Sequence, residues 1–154
     1  PDLYENLSGI QYLNFIAEGY GISAEKRREK ISEYAKELEI YDNLGDQIKS
    51  LSHGMKQKVA VVSAFMHEPK LLVLDEPFVG LDPIASHTMK EKLRQLCDNG
   101  GSVFFSSHVL EVVENLCDEI AILKSGSVIL DGKTSELLSQ SGTNLEELFL
   151  ERAE

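Results

Sequence analysis

The sequence is poor in residues on which several classes of protein depend. Its 154 residues include two cysteines, four prolines and no tryptophan. Cys97 and Cys117 belong to no Cys-x-x-Cys or Cys-x-x-His pattern, so we expect neither a disulfide framework nor a structural zinc site, and a reducing compartment fits. Both cysteines are expected to pack as small apolar side chains.

Basic charge and long apolar runs are also scarce. Fifteen Lys and Arg against twenty-six Asp and Glu give a net charge of −11, which disfavours a nucleic-acid backbone as the main partner because such binding depends on basic contacts. The longest nearly apolar stretch, residues 59–66, is far shorter than the roughly 20 residues of a membrane helix. The first residues lack the basic start and apolar core of a signal peptide. We therefore expect a soluble, cytosolic protein that binds no nucleic acid.

The residues that are present predict one α/β domain. The 42% hydrophobic and 27% charged fractions are those of a globular protein. Apolar spacing predicts three helices and then, from residue 69, strands that alternate with helices. The apolar run at residues 71–74 suits a strand buried on both faces of a parallel sheet. The predicted helices cover residues 6–19, 23–42, 52–67, 84–99 and 109–116, with short ones from 134 and 144, and the predicted strands cover 71–74, 102–106, 119–123 and 128–131.

Two adjacent carboxylates, Asp75 and Glu76, follow the first predicted strand. Burying them there is costly unless they face a cation or a substrate, and ligands bind at the carboxyl ends of parallel strands. Asp75 is placed to hold Mg²⁺, directly or through water, and Glu76 to orient or deprotonate an attacking water. The alternative is a helix start near Pro77, where acidic residues are also favoured.

Three further motifs are candidates for phosphate chemistry. Ser52 and Gly54 open a long helix, whose free N–H groups and dipole can bind an anion, although a plain serine cap gives the same pattern. The segment 80–83 is a tight turn that starts another helix. His108 follows the second strand and could contact a phosphate or the attacking water, although a lone histidine there is more often structural.

The order of these motifs strongly resembles that of the ATPase subunit of ABC transporters. Residues 71–76 resemble the Walker B motif, residues 80–82 the D-loop, and His108 the switch histidine. The resemblance covers nearly the whole chain, because residues 1–7 resemble the segment after the Q-loop and residues 145–149 a common ending of exporter-type subunits. The signature motif of the family is matched by Leu51, Ser52, His53, Gly54 and Met55.

The chain departs from the family pattern in two ways. At the signature, His53 replaces the usual glycine and Met55 the usual glutamine. No Gly-x-x-x-x-Gly-Lys-Ser/Thr phosphate loop occurs in the sequence, and the Q-loop residue and the adenine-stacking aromatic residue are missing as well. The resemblance therefore implies the C-terminal part of a P-loop NTPase-type domain, a mostly parallel sheet flanked by helices that lacks the N-terminal β part and the phosphate-loop strand. We expect such a fragment to bind ATP weakly and not to hydrolyse it alone.

The resemblance also implies roles for individual residues. In the family, two such domains pair head to tail around two ATP molecules. Asp75 would serve Mg²⁺, Glu76 would polarise the attacking water, and His108 would contact the γ-phosphate. The signature residues 51–55 would bind the ATP of the opposite subunit, and Asp82 of the D-loop would contact the dimer partner.

The implied organisation has two parts and two protein partners. Residues 1–66 would form the helical subdomain, which receives a short helix from a transmembrane permease, and residues 67–154 the C-terminal part of the ATPase core. The implied function is ATP hydrolysis coupled to transport, at the inner face of the cell membrane through the permease. Two alternatives stay open, namely a soluble ABC ATPase that acts on ribosomes or DNA and a non-catalytic ABC-like binding module.

Overall fold

The computed structural model describes residues 3–141 and 144–153, which form an α/β structure with small sheets. The chain divides into two compact units, residues 1–105 and residues 106–154, and each unit has its own secondary structure. The functional boundary expected after residue 66 falls inside the first unit and stays a prediction.

The first unit begins with two helices that are capped by serines. Helix α1, Gly9–Gly19, starts at a capping box, in which the Ser8 Oγ accepts from the Gln11 N–H and the Gln11 side chain accepts from the Ser8 N–H. The predicted start at residue 6 is therefore three residues early. Ser23 caps helix α2, Ala24–Glu37, and the predicted helix start at residue 23 is therefore confirmed.

The predicted end of α2 near residue 42 is wrong. The helix ends at Glu37, and Glu39 takes a positive φ of 53° that a continuing helix excludes. Two 3₁₀ turns, Tyr41–Asn43 and Ile48–Ser50, then lead to helix α3, His53–Phe65.

Helices α1, α2 and α3 surround an apolar core. Their buried stripes and the connecting turns supply fully or almost fully buried side chains, which is the arrangement that stabilises a helical layer of this size. The largest of these side chains are Leu13, Ile40, Ile48, Val59, Val62 and Met66.

A strand–helix–strand unit completes the first unit. Strand β1, Leu71–Asp75, pairs with strand β2, Ser102–Ser106, and helix α4, Pro83–Asp98, connects them. The Ser102 N–H donates to the Lys70 carbonyl O at 2.8 Å. Because this bond joins the starts of both strands, the strands run in the same direction, as a helical crossover requires.

The expectation that β1 is buried on both faces is wrong. Leu72 is 6% exposed, whereas Leu71 and Val73 on either side of it are 61% and 64% exposed. The strand therefore buries one face only, because successive side chains of a strand point to opposite sides of the sheet.

The second unit is a β-hairpin with helices around a small core. It contains helix α5, Leu110–Leu116, strands β3, Glu119–Lys124, and β4, Ser127–Lys133, and helices α6, Thr134–Ser141, and α7, Leu145–Ala153. The strands are antiparallel, and a two-residue turn joins them: Ser125 and Gly126 both have positive φ, as in the favoured hairpin turn. The core of this unit is built from Ile120, Ile122, Leu145 and Leu148.

The two cysteines differ in environment. Cys117 is half-buried, and burial raises the pKa of its thiol to about 11. Cys97 is exposed, so the expectation that it packs is wrong; it lies in the last turn of α4, beyond the buried stripe of Ala85, Met89 and Leu93. Within the described residues, the structure contains no helix with the length and apolar character to cross a membrane.

Candidate functional site

The acidic pair lies where β1 turns into a loop of six residues, 77–82, which leads to α4. Asp75 is the last residue of β1, and Glu76 has a φ of +45°. This left-handed conformation is uncommon for a residue with a side chain. At Glu39 and Glu68 the same conformation follows a helix, whereas at Glu76 it turns the chain directly after a strand.

The loop 77–82 is built from short turns on a buried base. The Val79 N–H donates to the Glu76 carbonyl O at 3.2 Å, and the Leu81 N–H to the Phe78 carbonyl O at 3.3 Å. Pro77 is fully buried. These contacts hold the loop in one compact conformation.

The predicted anion site at the start of α3 is a capped helix end. Ser52 is the N-cap, and its Oγ accepts from the Met55 N–H at 3.3 Å. Leu51 is buried, whereas Ser52 and His53 are exposed. The amide groups of a first helical turn have no acceptor within the helix, so this end of α3 presents donors and a partial positive charge.

The first turn of α3 lies directly against the loop 77–82. A Cβ at Gly54 would collide with the Gly80 carbonyl O. Gly80 has a φ of +80°, and a Cβ there would lie 2.7 Å from the His53 Cδ2. Both positions therefore require glycine, Gly54 for lack of space and Gly80 for lack of space and for its backbone conformation.

Two polar contacts join the next turn of α3 to the ends of the same loop. The Gln57 Nε2 donates to the Pro77 carbonyl O at 3.2 Å. The Lys58 Nζ lies 2.6 Å from the Asp82 Oδ2, and the Lys58 side chain is only 10% exposed. The other carboxylate oxygen of Asp82 caps α4 by accepting from the Ala85 N–H at 2.8 Å.

These contacts set the charge state of Asp82. The Ala85 N–H, and after it the Lys58 ammonium, hold the pKa of the Asp82 carboxyl below its usual value. Asp82 therefore stays ionised while it connects the two helices.

The structure thus brings most of the predicted site residues into one region of the first unit. His53 and Gly54 lie against Gly80, and Asp75 and Glu76 lead into the same loop. His108 belongs to the second unit, between β2 and α5, where the neighbouring Val109 N–H donates to the Ser107 Oγ at 3.1 Å.

Sequence reasoning missed Gln57 and Lys58. A signal for Lys58 was present, because it is directly followed by the apolar run of α3, and a lysine within the buried part of a helix requires an anionic partner. The signal for Gln57 is weaker, since its acceptor is a backbone carbonyl 20 residues away.

The side chains present fit a nucleotide-bound magnesium ion. Within residues 3–141 and 144–153, no three His, Cys, Asp or Glu side chains group together as a metal site. Mg²⁺ needs no such group, because it is bound through one or two carboxylates together with phosphates and water. Asp75 supplies such a carboxylate, and the Ser52 hydroxyl and the first-turn amides of α3 supply donors of the kind that bind phosphate.

Comparisons with known proteins identify relatives of this chain. The sequence profile of the ABC transporter family matches residues 2–79, about half of the chain. The ABC-type transporter ATP-binding protein EcsA of Bacillus subtilis (strain 168) is 38% identical over 154 residues, which cover 98% of this chain and 62% of EcsA. The chain therefore spans about three fifths of this relative.

Solved structures give the same result. The structure of an ATP-binding subunit of an ABC transporter matches with a TM-score of 0.93 and 34% identity, covering all of this chain and 65% of that one. The cbiO1 protein of Clostridium perfringens, described as part of the transporter complex cbiONQ, matches with a TM-score of 0.69 and 27% identity, over 97% of this chain and 59% of that one.

Removing the Asp82 carboxylate should destabilise the chain. In Asp82→Ala, α4 loses its cap and Lys58 loses its anionic partner, so we expect the free energy of unfolding to fall by about 1–2 kcal/mol. Urea denaturation of the 154-residue chain measures this. The matched control is Asp98→Ala at the other end of α4, where a carboxylate is disfavoured by the helix dipole; a loss there as large as in Asp82→Ala would contradict the assignment.

The same contribution should depend on pH. Because the folded-state pKa of Asp82 is lowered, its stabilisation is fully present above the ordinary value of about 4 and is lost as the pH falls through the folded-state pKa. The stability difference between the unchanged chain and Asp82→Asn should therefore shrink below about pH 4.

Proposed function

Because this chain belongs to the ABC transporter family of ATP-binding proteins, we propose that it is the C-terminal part of an ATPase subunit that couples ATP hydrolysis to transport by a transmembrane permease. The observation that carries the proposal is the contact between the first turn of α3 and the loop after Asp75 and Glu76. It joins the serine-containing helix start and the acidic strand end into one surface suited to phosphates.

In this proposal Asp75 and Glu76 have different tasks. Asp75 ends β1 and holds the metal ion. Held there with ATP, Mg²⁺ would supply charge neutralisation at the phosphates. Glu76 lies one residue further along the chain, where it orients the attacking water and accepts its proton. For His108, the family resemblance supports a contact with the γ-phosphate.

The signature residues act on the ATP of the opposite subunit in a head-to-tail pair. Ser52 and Gly54 bind its γ-phosphate through the hydroxyl and the first-turn amides of α3, and Leu51, His53 and Met55 flank them. Asp82 lies at the interface between the two subunits. Binding of ATP closes the pair, and hydrolysis allows it to open again.

The permease is proposed to dock on the helical part, at a surface formed by three of its exposed aromatic side chains. Tyr4, Phe15 and Tyr20 are 59%, 54% and 61% exposed. The Tyr4 ring meets the Phe15 ring edge-on at 5.5 Å, and the Tyr20 ring stacks on His67 at 3.9 Å. Rings held in place while exposed lose little conformational freedom on binding, which suits a protein interface.

The proposed occupant of this docking surface is a short helix of the permease. Next to Phe15 and Tyr20 lies a shallow groove of about 380 Å³ lined also by Ile16, Glu18 and Gly19. Support for a permease also comes from the similarity to cbiO1, which is described as part of a transporter complex. With this partner, the subunit would lie at the cytoplasmic face of the membrane.

Three substitutions in the intact subunit test the catalytic assignment. Glu76→Gln keeps the side-chain size but removes the base, so we expect turnover to fall by about 10²–10⁴-fold while Mg-ATP still binds and the closed pair accumulates. Asp75→Asn should weaken Mg-ATP binding itself. Ser52→Ala should leave nucleotide binding to the open subunit unchanged and impair closure.

Turnover, ATP affinity and dimer fraction separate these outcomes. Near-normal turnover in Glu76→Gln would remove its catalytic role, and normal closure in Ser52→Ala would remove the contact to the opposite ATP. Exposed Glu91 on α4 provides the control, because Glu91→Gln removes one carboxylate outside the proposed site.

The docking surface is tested separately from catalysis. Phe15→Ala and Tyr20→Ala should each reduce copurification of the intact subunit with its permease and reduce transport, while ATP hydrolysis by the subunit without the permease persists. Tyr41→Ala is the matched control, since Tyr41 is 46% exposed and does not belong to the docking surface of Tyr4, Phe15 and Tyr20. Full transport in the double variant Phe15→Ala/Tyr20→Ala would refute this docking site.

A further inference from the structure

His53 is the signature residue that departs most clearly from a small side chain, and the proposed phosphate contacts give it no task. It begins α3 and is exposed to solvent. Its imidazole nevertheless has a specific neighbour, because a Cβ built on Gly80 would lie 2.7 Å from its Cδ2 and 3.3 Å from its Nε2. The ring therefore covers the one residue of the loop 77–82 that has a positive φ.

The contact between His53 and Gly80 lies between two polar contacts of the same loop with α3. Gln57 holds the first residue of the loop through the Pro77 carbonyl, and Lys58 holds the last through Asp82. Between these two points, Gly80 lies against Gly54 and His53 in the first turn of α3. An imidazole ring over a glycine blocks the space into which this turn could move.

We propose that His53 is a positioning residue, whose ring locks the Gly80 turn onto the first turn of α3. The inference rests on the proposed function, in which Ser52 acts on the ATP of the opposite subunit and Glu76 on the ATP of its own. This contact between the His53 ring and Gly80, here called the lock, makes the helix start that carries Ser52 and the loop that follows Glu76 move as one body. His53 thereby fixes the spacing between groups that serve two different ATP molecules.

The lock has a consequence that phosphate binding alone does not produce. His53 should have little effect on how tightly an open subunit binds ATP, because the ring contacts the loop and not the nucleotide of its own subunit. It should affect the rate of the closed pair, since a displaced catalytic group can lower a rate by about 10²-fold. We therefore expect a lower kcat and an unchanged ATP affinity of the open subunit.

The test compares His53→Ala with His87→Ala in the intact subunit. His87 is an exposed histidine on α4, and its side chain is 74% exposed. We expect kcat to fall about 10–10²-fold in His53→Ala, with ATP binding to the open subunit and the thermal unfolding temperature unchanged, and no effect in His87→Ala. His53→Phe, which keeps a flat ring over Gly80, should retain most of the turnover that His53→Ala loses.

A double-mutant cycle with Gly80→Ala tests the contact itself. If His53 acts through Gly80, the effects of His53→Ala and Gly80→Ala on kcat are not additive. Additive effects, normal kcat in His53→Ala, or an equal loss in His53→Phe and His53→Ala would overturn the proposal.

Ser52→Ala, measured in parallel, separates this proposal from the proposed function. Impaired closure in Ser52→Ala together with normal turnover in His53→Ala refutes the lock alone. Normal closure in Ser52→Ala refutes the assignment of Ser52 to the opposite ATP, and with it the premise of the lock.

Discussion

The ion pair between Lys58 and Asp82 determines where the loop after the acidic strand ends and where α4 begins. The Lys58 ammonium is largely removed from solvent, and such a group is stable only beside an anionic partner. Asp82 meets this need with one carboxylate oxygen and caps α4 with the other. One side chain therefore connects the interior of α3 to the start of α4, and the loop between Asp75 and α4 is held at its far end.

The remaining contacts of the site depend on this arrangement. Lys58 holds Asp82 at α3, and the loop 77–82 has only six residues. Gln57 of the same helix can therefore reach the first residue of the loop, Pro77. Gly80 then lies so near the first turn of α3 that neither Gly54 nor Gly80 could carry a side chain without displacement. The serine-capped helix end and the acidic strand end are thus neighbours in space although about 20 residues separate them in the sequence.

Features with a local cause could be predicted from the sequence, whereas those that depend on distant contacts could not. The starts of α2 and α3 lie within one residue of the predicted positions, at the serine caps Ser23 and Ser52, because a cap depends on residues within one turn. The motif order was enough to indicate the family, which the comparisons confirm. The solvent exposure of Leu71 and Val73 and the link from Gln57 to Pro77 were not foreseen, since both depend on which elements pack together.

Amide hydrogen exchange tests most directly whether the start of α3 and the loop 77–82 form one unit. The variant is Lys58→Met, which keeps the buried stem and removes the charge. We predict faster exchange for the Lys56 amide in α3, which donates to Ser52, and for the Ala85 and Ser86 amides in α4, which both donate to Asp82. The Leu38 amide at the end of α2, which donates to Tyr34, should exchange at an unchanged rate. Faster exchange in only one of the two helices, or in neither, would contradict a shared unit.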